Sequence, residues 1–323
     1  MGDKKKTCLV MDIGGTNFSL GLAEQGGRLL ECVREATDRE GGADWMIARL
    51  TETAKSLMAA SSVKPVSCGI SFGGPADFER QICRSSTHVG GWADLPLPRL
   101  ISESLGIPAV MDNDANVAAL GEHRYGAGVG LSSIIFYTVS TGIGGGIILD
   151  GKPYRGRYSA AGEFGHSPVW PGGPECPCGN RGCLEAVCSG DGIARRARKA
   201  VRGKPEAGKM LLASAGGDTE KITAKLVFQT ARAGDSLSHE IIEETGRYFA
   251  MSIATAFNVL DLDLAILGGG VSLAGEQLLA PIRENMKNHL FGNARKTARV
   301  TTAKLGLDSC LLGALALAEE TFA

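Results

Sequence analysis

Two segments of the chain share one pattern, in which an apolar run leads through a glycine-rich turn into a second apolar run. The first extends from Thr7 to Ala23 and turns at residues 14–17, and the second extends from Ser132 to Leu149 and turns at residues 140–146. Short apolar runs bounded by glycine are typical of buried strands joined in a hairpin. Because the two segments lie about 125 residues apart, they indicate two similar halves with a boundary near Ala115.

Strands and helices alternate along the rest of the chain. Apolar runs predict strands at residues 66–72, 109–111 and 264–267, and helical spacing predicts helices at residues 45–60, 97–105, 115–125, 190–201 and 236–258, with another from residue 277 onward. The segment from Gly151 to Gly190 is predicted to be irregular. This alternation predicts an α/β fold, and 323 residues are enough for two domains.

Charge and hydropathy exclude several classes of function. The chain has 34 Lys and Arg against 35 Asp and Glu, whereas broad nucleic-acid binding needs a concentrated basic face. It has no apolar run of about 18 residues and no signal-peptide stretch near its start. We therefore expect a cytoplasmic protein that binds neither nucleic acid nor a membrane.

Four of the nine cysteines lie between Cys176 and Cys188, a pattern unlike a secreted disulfide framework. Cys176, Cys178 and Cys183 supply three thiols, and His166 precedes them across a proline-containing loop. One imidazole and three thiolates predict a tetrahedral zinc site without an open position, which is the structural type. A reactive cysteine cluster is the disfavoured alternative, and Cys188 is expected to lie outside the metal shell.

Glycine-rich turns near residues 14–15, 142–146 and 268–270 can present backbone N–H groups to phosphate, because glycine has no Cβ to block close approach. For any single turn, the alternative is an ordinary hairpin. The chain contains neither the P-loop motif nor a well-placed dinucleotide-binding motif. Asp12, which ends the first predicted strand, could hold Mg²⁺ directly or through water.

Asp114 follows a predicted strand near the proposed domain boundary, where ligand clefts tend to form. A carboxylate there can accept the proton of a hydroxyl group as its oxygen attacks phosphorus. The alternative is a helix N-cap, since a predicted helix follows. Glu163 and His166 share one face of a helical turn, and Glu185 follows the last zinc thiol, so a folded zinc loop would bring these side chains together.

Several motifs together resemble the ROK family of repressors and sugar kinases, and the resemblance covers essentially the whole chain. The matching segments are Asp12-Ile-Gly-Gly-Thr16, Gly73-Gly-Pro75, Asn113-Asp114-Ala-Asn116, Thr141-Gly-Ile-Gly-Gly-Gly146, Gly162-Glu-Phe-Gly-His166, Cys176-x-Cys178-Gly-x-x-Gly-Cys183-x-Glu185 and Leu267-Gly-Gly-Gly270. The resemblance implies an actin-like ATPase (ribonuclease H-like) fold of two α/β domains with a ligand cleft between them. The first would comprise residues 1–115 with the C-terminal helix 311–322, and the second residues 116–310 with the zinc loop 163–185.

The resemblance also implies ATP-dependent phosphorylation of a hexose, above all glucose at its 6-hydroxyl, by a homodimer with Asp114 as the general base. The residues implied to bind the sugar are Gly74, Asn113, Glu163, His166 and Glu185. Those implied to face the phosphates and Mg²⁺ are Asp12, Gly14, Gly15, Thr16, Thr141 and Gly142, and those implied beside the nucleoside are Gly268, Gly269 and Gly270. His166 would bind structural zinc with one nitrogen and a sugar hydroxyl with the other.

One position departs from the family pattern. The family usually carries asparagine four residues before Trp92, and here His88 stands there, which leaves the identity of the sugar open. The alternative acceptors are fructose, allose, mannose, an N-acetylated amino sugar or a polyol. A sugar-sensing regulator would carry a DNA-binding domain before the first phosphate strand, and no room for one is expected here. A non-catalytic zinc-dependent binding module is disfavoured because Asp114 and the glycine turns are retained.

Overall fold

The computed structural model describes residues 5–86 and 89–322, which group into two compact units. The first unit contains the chain up to Leu131, residues 146–162 and residues from Lys304 onward, and the second contains residues 132–145 and 163–303. His88 lies outside the described residues. Among the described helices, none combines the length and apolar character needed to cross a membrane.

Five strands form the sheet of the first unit: β1 (Thr7–Ile13), β2 (Asn17–Glu24), β3 (Arg28–Ala36), β4 (Ser67–Phe72) and β7 (Ala109–Asn113). Their order is β3-β2-β1-β4-β7, with β1 antiparallel to β2 and parallel to β4, and with β4 parallel to β7. The central β1 is buried along almost its whole length, which explains its continuous apolar run. Two short strands, β5 (Ala76–Asp77) and β6 (Ile82–Cys83), pair separately.

The second sheet repeats this strand order, as the two similar hairpins in the sequence predict. Its strands are β8 (Ile134–Val139), β9 (Ile143–Leu149), β10 (Lys152–Pro153), β11 (Leu264–Gly268) and β12 (Val300–Thr302), in the order β10-β9-β8-β11-β12. β11 is parallel to β8 and β12. The part of β9 from Gly146 onward, together with β10, is grouped with the first unit.

Helices flank both sheets. In the first unit they are α1 (Gly42–Ala60), α2 (Leu97–Leu105), α3 (Asp114–Tyr125) and α11 (Ser309–Phe322), and in the second unit α4 (Leu184–Cys188), α5 (Gly190–Gly203), α6 (Lys209–Ser214), α7 (Ala224–Arg232), α8 (Ser236–Leu260), α9 (Glu276–Met286) and α10 (Ala294–Thr297). Short 3₁₀ turns cover Phe164–His166, Thr219–Lys221, Gly270–Ala274 and Gly306–Asp308. Most of these helices bury one apolar face, and that face supplies the core of each unit.

The last helix, α11, packs inside the first unit against α3 and β4. A Cβ at Gly313 would lie 1.9 Å from the Val117 carbonyl oxygen, and a Cβ at Gly69 would lie 1.9 Å from that of Ala314. Glycine at these positions therefore sets how closely the elements approach. The grouping also puts α3 and residues 146–162 in the first unit, whereas the sequence-based division assigns them to the second domain.

Several elements differ from the sequence-based predictions. The second hairpin turn was predicted to extend to Gly146, but β9 already begins at Ile143. Gly146 lies inside the strand, where a Cβ would be 2.4 Å from the Ala115 carbonyl oxygen, so this glycine serves close packing on α3 rather than a turn. The sequence does not predict the edge strand β3, because charged residues interrupt its apolar pattern. Nor does it predict helices α6 and α7, because their helical patterns are short and follow charged loops.

Candidate active site

The strands β1, β4 and β7 are parallel, and their carboxyl ends lie at one edge of the sheet. Acidic residues of β1 and β7 meet at this edge. Asp12 of β1 is in register with Ser71 of β4, which is in register with Asp112 of β7. Ligands bind at such strand ends in open α/β sheets. The pairing therefore places Asp12 at the same sheet edge as the Asn113-Asp114 pair that follows Asp112.

Asp12 is half-buried, and neutral donors hold its carboxylate. The Ser71 hydroxyl donates to Asp12 Oδ1 at 2.8 Å, and the Cys310 thiol also hydrogen-bonds this carboxylate. Burial raises the pKa of Asp12 above its ordinary value, although both hydrogen bonds oppose that rise. Asp12 forms no ion pair within the described residues, so a divalent cation there would meet an uncompensated carboxylate.

Asn113, rather than Asp114, is the N-cap of α3. Its Oδ1 accepts the Ala115 N–H at 3.0 Å, while its Nδ2 donates to the Gly74 carbonyl oxygen at 3.1 Å. Asp114 is the first helical residue, and its Oδ1 accepts the same Ala115 N–H at 2.8 Å. Asn113 therefore has the helix-capping role that the sequence also allowed for Asp114. Gly74 has no room for a side chain, since a Cβ would lie 2.7 Å from the Ser85 oxygen.

A buried ion pair that the sequence did not reveal supports this segment. Asp112 is 2% exposed, and its Oδ2 accepts a hydrogen bond from Arg155 Nε at 2.6 Å. Its Oδ1 accepts the Asn113 N–H at 2.7 Å and the Asn116 amide at 3.2 Å. The Arg155 guanidinium also lies 3.5 Å from the centre of the Phe78 ring. Asp112 thus ties the Asn113 backbone and the Asn116 side chain, which lie on either side of Asp114, to one fixed cation.

The turn between β1 and β2 is tight. The Gly14 N–H donates to the Asn17 oxygen at 3.0 Å, and a Cβ on Gly14 would lie 2.8 Å from that oxygen. Gly15 is half-buried and Thr16 is exposed, so both are accessible to a ligand. The backbone geometry suits a turn that presents N–H groups to an anion.

In the second unit, the four predicted zinc ligands come together. The ligand atoms of His166, Cys176, Cys178 and Cys183 all lie within 4.8 Å of one another. Cys178 Sγ is 3.7 Å from Cys183 Sγ, and Cys176 Sγ is 3.6 Å from His166 Nδ1. Tetrahedral ligands at Zn–S distances of about 2.3 Å would be about 3.8 Å apart, so the cluster fits zinc.

The zinc loop depends on two glycines and a polarised thiol. Gly179 and Gly182 have φ angles of +92° and +73°, which other residues rarely adopt. The Asn180 backbone N–H lowers the pKa of the Cys178 thiol to about 7, which favours the thiolate that metal binding requires. Cys188 lies outside the cluster, as expected, and its buried thiol donates to the Thr245 carbonyl.

Two carboxylates, Glu163 and Glu185, lie beside this cluster. His166 Nε2 lies 3.9 Å from Glu163 Oε2, so the imidazole has its Nδ1 beside the thiols and its other nitrogen beside a carboxylate. Glu185 Oε2 accepts the Ile143 N–H at 2.9 Å, and its Oε1 is 3.9 Å from Cys176 Sγ. A Cβ on Gly142 would lie 2.6 Å from Glu185 Oε2. Glu185 therefore links the zinc cluster to the Thr141-Gly142 turn.

A cavity of about 600 Å³ lies within the second unit beside this turn. Thr141 and Gly270 line it, together with residues of α5 and α7 that sequence reasoning missed: Asp191, Ala194, Arg198, Phe228, Gln229 and Arg232. Gly268 and Gly269 do not line the cavity. Instead they allow close packing, since a Cβ on Gly269 would lie 2.5 Å from the Val139 oxygen.

Comparison with known proteins relates this chain to sugar kinases. The glucokinase of Thermotoga maritima is 35% identical over 310 residues, which are 96% of each chain. N-acetylmannosamine kinase of Yersinia pestis is 33% identical over 266 residues, which cover 82% of this chain and 83% of that protein. A crystal structure of a ROK family glucokinase from Streptomyces griseus, in complex with glucose and AMPPNP, is 34% identical, with a TM-score of 0.82 over 98% of this chain and 100% of that one.

These similarities confirm the two-domain actin-like ATPase fold that the motifs imply. They extend through the strands and turns that carry Asp12, Asp114 and the zinc cluster. Residues 8–321 match the ROK family, and the chain belongs to that family.

Proposed function

We propose that the chain is an ATP-dependent hexose kinase and that glucose is its acceptor. The observation that carries this proposal is the similarity, over nearly the whole length, to a glucokinase whose structure holds glucose and an ATP analogue. The residues support it, because a carboxylate at the start of α3 and a glycine turn after β1 are what phosphoryl transfer to a hydroxyl group needs.

In the proposed reaction, Asp114 acts as the general base. The sugar oxygen forms a bond to the γ-phosphorus of ATP, the bond from that phosphorus to the β–γ bridging oxygen breaks to release ADP, and the hydroxyl proton passes to the Asp114 carboxylate. The hydrogen bonds from Asn113 N–H and Asn116 to Asp112 hold the start of α3 in place. Such fixed placement of a base is what makes proton transfer efficient.

The proposed sugar ligands keep hydrogen-bonding capacity for hydroxyl groups. Asn113 uses one N–H of Nδ2 and one interaction of Oδ1 within the protein, and an amide can make about twice as many. Glu163 is exposed, and His166 Nε2 faces it. Glu185 and the backbone near Gly74 complete the proposed set.

Zinc would be held by His166, Cys176, Cys178 and Cys183, and its role would be structural, because four protein ligands leave no open position. With Nδ1 of His166 committed to the metal side, Nε2 is the nitrogen that remains for a sugar hydroxyl. The proposed zinc site therefore fixes the orientation of a sugar-binding imidazole.

Asp12 is proposed to hold Mg²⁺, which when bound to ATP offsets phosphate charge. Gly14, Gly15, Thr16, Thr141 and Gly142 are proposed to face the phosphates. The cavity beside Thr141 and Gly270 has room for a nucleoside and offers Phe228 as an apolar wall. Of the three predicted glycines at residues 268–270, only Gly270 lines that cavity.

Sugar-dependent ADP release from MgATP tests the proposed function. We expect zinc-replete protein to phosphorylate glucose, and D114N to lower kcat by about 10² to 10⁴-fold while glucose still binds, because only the proton acceptor is lost. D44N, which changes an exposed aspartate in α1, serves as the control. Near-normal turnover in D114N would remove Asp114 from the mechanism.

A second acceptor has specific support, because the N-acetylmannosamine kinase relative is almost as similar in sequence as the glucokinases. The same assay with N-acetylmannosamine, mannose, fructose, allose and polyols separates the possibilities. A higher kcat/KM for one of these sugars than for glucose would support the proposed kinase activity and identify that sugar as the preferred substrate.

The proposed assembly is a homodimer in the cytoplasm. Residues of α8 line a groove whose apolar surface suits contact between subunits. One of these residues, Val259, is 74% exposed. All nine cysteines are free, and thiolate zinc ligands together with ATP suit a reducing compartment. Light scattering at two protein concentrations measures the assembly.

A further inference from the structure

The segment after β3 closes over the carbonyl side of the Gly14–Thr16 turn. The Thr37 hydroxyl donates to the Gly14 oxygen at 2.8 Å, Arg39 Nε donates to the Gly15 oxygen at 2.7 Å, and the Thr37 N–H donates to the Thr16 oxygen at 2.9 Å. All three carbonyl groups of the turn are therefore satisfied from this segment. By contrast, the N–H groups of Gly15 and Thr16 have no acceptor among the described residues. This asymmetry leaves a turn that offers donors and hides acceptors, as an anion site requires.

The Arg39 side chain brings a full positive charge to the same turn. Its Nη2 donates to the Thr16 hydroxyl at 2.9 Å, in addition to the bond from Nε to the Gly15 oxygen. Arg39 forms no ion pair with any carboxylate in the part of the chain that the structure describes. The adjacent Asp38 instead accepts the N–H groups of Glu40 and Gly41. Two contacts occupy part of a guanidinium that carries five N–H donors, so donors remain for a ligand.

We propose that Arg39 binds the phosphate oxygens of the phosphoryl donor at the Gly14–Thr16 turn. This inference rests on the proposed function, in which that turn faces the phosphates. A guanidinium makes short, charge-assisted hydrogen bonds to phosphate, and Arg39 is fixed in place by the turn itself. The chain has no P-loop lysine, and Arg39 supplies the cation that such a lysine provides elsewhere.

Calorimetry with three probes on the full, zinc-replete chain tests this assignment. MgATP and tripolyphosphate carry phosphates, whereas adenosine carries none. We expect R39Q to weaken binding of MgATP and tripolyphosphate about tenfold and to leave adenosine unchanged. R39K keeps the charge but lacks the planar fork, and its loss should be about threefold. Rising KCl should reduce the difference between R39Q and the wild type, because salt screens an exposed charge.

R28Q is the matched control, because it removes another exposed arginine of the first unit, one that pairs with Glu24. R39Q that binds tripolyphosphate and MgATP as tightly as R28Q would overturn the proposal. An equal loss for adenosine would do the same, since it would mean a deformed turn. In steady-state assays, the KM for ATP should rise while the KM for glucose stays constant. Phosphate binding can be measured without phosphoryl transfer. A wild type without sugar-dependent ADP release would contradict the proposed function, whereas calorimetry would still show whether Arg39 binds phosphate.

Discussion

At the scale of single residues, Asp12 shows how a residue proposed to bind a cation can oppose folding. Burial disfavours its charged form, and no cationic side chain pairs with it in the described residues. The Ser71 hydroxyl and the Cys310 thiol compensate only in part. Asp12 therefore lowers the stability of the metal-free protein at neutral pH, and a bound cation would reverse that effect.

This imbalance predicts how D12N behaves in EDTA. Because the folded-state pKa of Asp12 is raised, its contribution to stability is fully present below the ordinary value of 3.8 and is lost as the pH rises through the folded-state pKa. D12N avoids that loss, so its free energy of unfolding should exceed that of the wild type at pH 7.5, and the excess should shrink as the pH falls to about 4, near the ordinary value of 3.8. Urea denaturation at both pH values measures it.

The exposed D44N variant is the control, and its difference from the wild type should not follow this trend. An excess for D12N that is the same at both pH values would contradict the argument. Kinase activity of D12N should be lost, so stability and activity should change in opposite directions.

Candidate site residues could be named from the sequence only where they lie in short motifs. Asp12 precedes a glycine turn, Asp114 follows a short apolar run, and the proposed zinc ligands include three cysteines at recognisable spacing. Arg155 and Cys310 could not be named in this way, because Arg155 meets Asp112 across 43 residues and Cys310 meets Asp114 across 196. Contacts of that separation exist only after the sheet has formed, so no local pattern indicates them.

At the scale of elements, the zinc loop has almost no core of its own. The buried cluster around it consists of Cys176, Cys183 and Ala186. Such a small set buries too little apolar area to order a loop, so we expect its folding to depend on the proposed zinc ion. The loop was predictable because all its ligands are local, whereas β3, with exposed charges along an edge, gave no apolar alternation to detect.

C183S should therefore lose zinc and glucose binding together. The reason is that His166 loses its fixed orientation when the loop unfolds. C188S is the matched control: its thiol is also buried, but it bonds the Thr245 carbonyl outside the cluster and should keep one zinc per chain. Metal analysis measures the zinc content, and titration measures glucose binding. A zinc-free C183S that binds glucose normally would show that glucose binding does not depend on zinc.

At the scale of the whole molecule, the two sheets have the same strand order, which the two hairpins already indicated. The sequence could reveal this because each hairpin is local. The positions of α6 and α7 were missed, since their helical patterns are short and follow charged loops. The sequence pattern misassigned Gly146 to a turn, whereas this glycine allows close packing of β9 on α3.

The packing of α11 on α3 predicts a large effect of one added methyl group. G313A should lower the free energy of unfolding by about 3 kcal/mol, because the new Cβ would overlap the Val117 carbonyl oxygen and push α11 away from α3. G203A, at the exposed end of α5, meets nothing within 4 Å and should be neutral or slightly stabilising. Denaturant unfolding of both variants measures the difference, and equal stability would show that α11 can shift without cost.

The place of α11 in the first unit has a consequence for synthesis. A ribosome makes the strands of that unit first, but Ser309–Phe322 emerges only after the whole second unit. Until then, β4 and α3 lack the helix that covers them. The nascent first unit therefore keeps apolar surface exposed until translation ends, and chaperones should bind it longest during synthesis of residues 163–303.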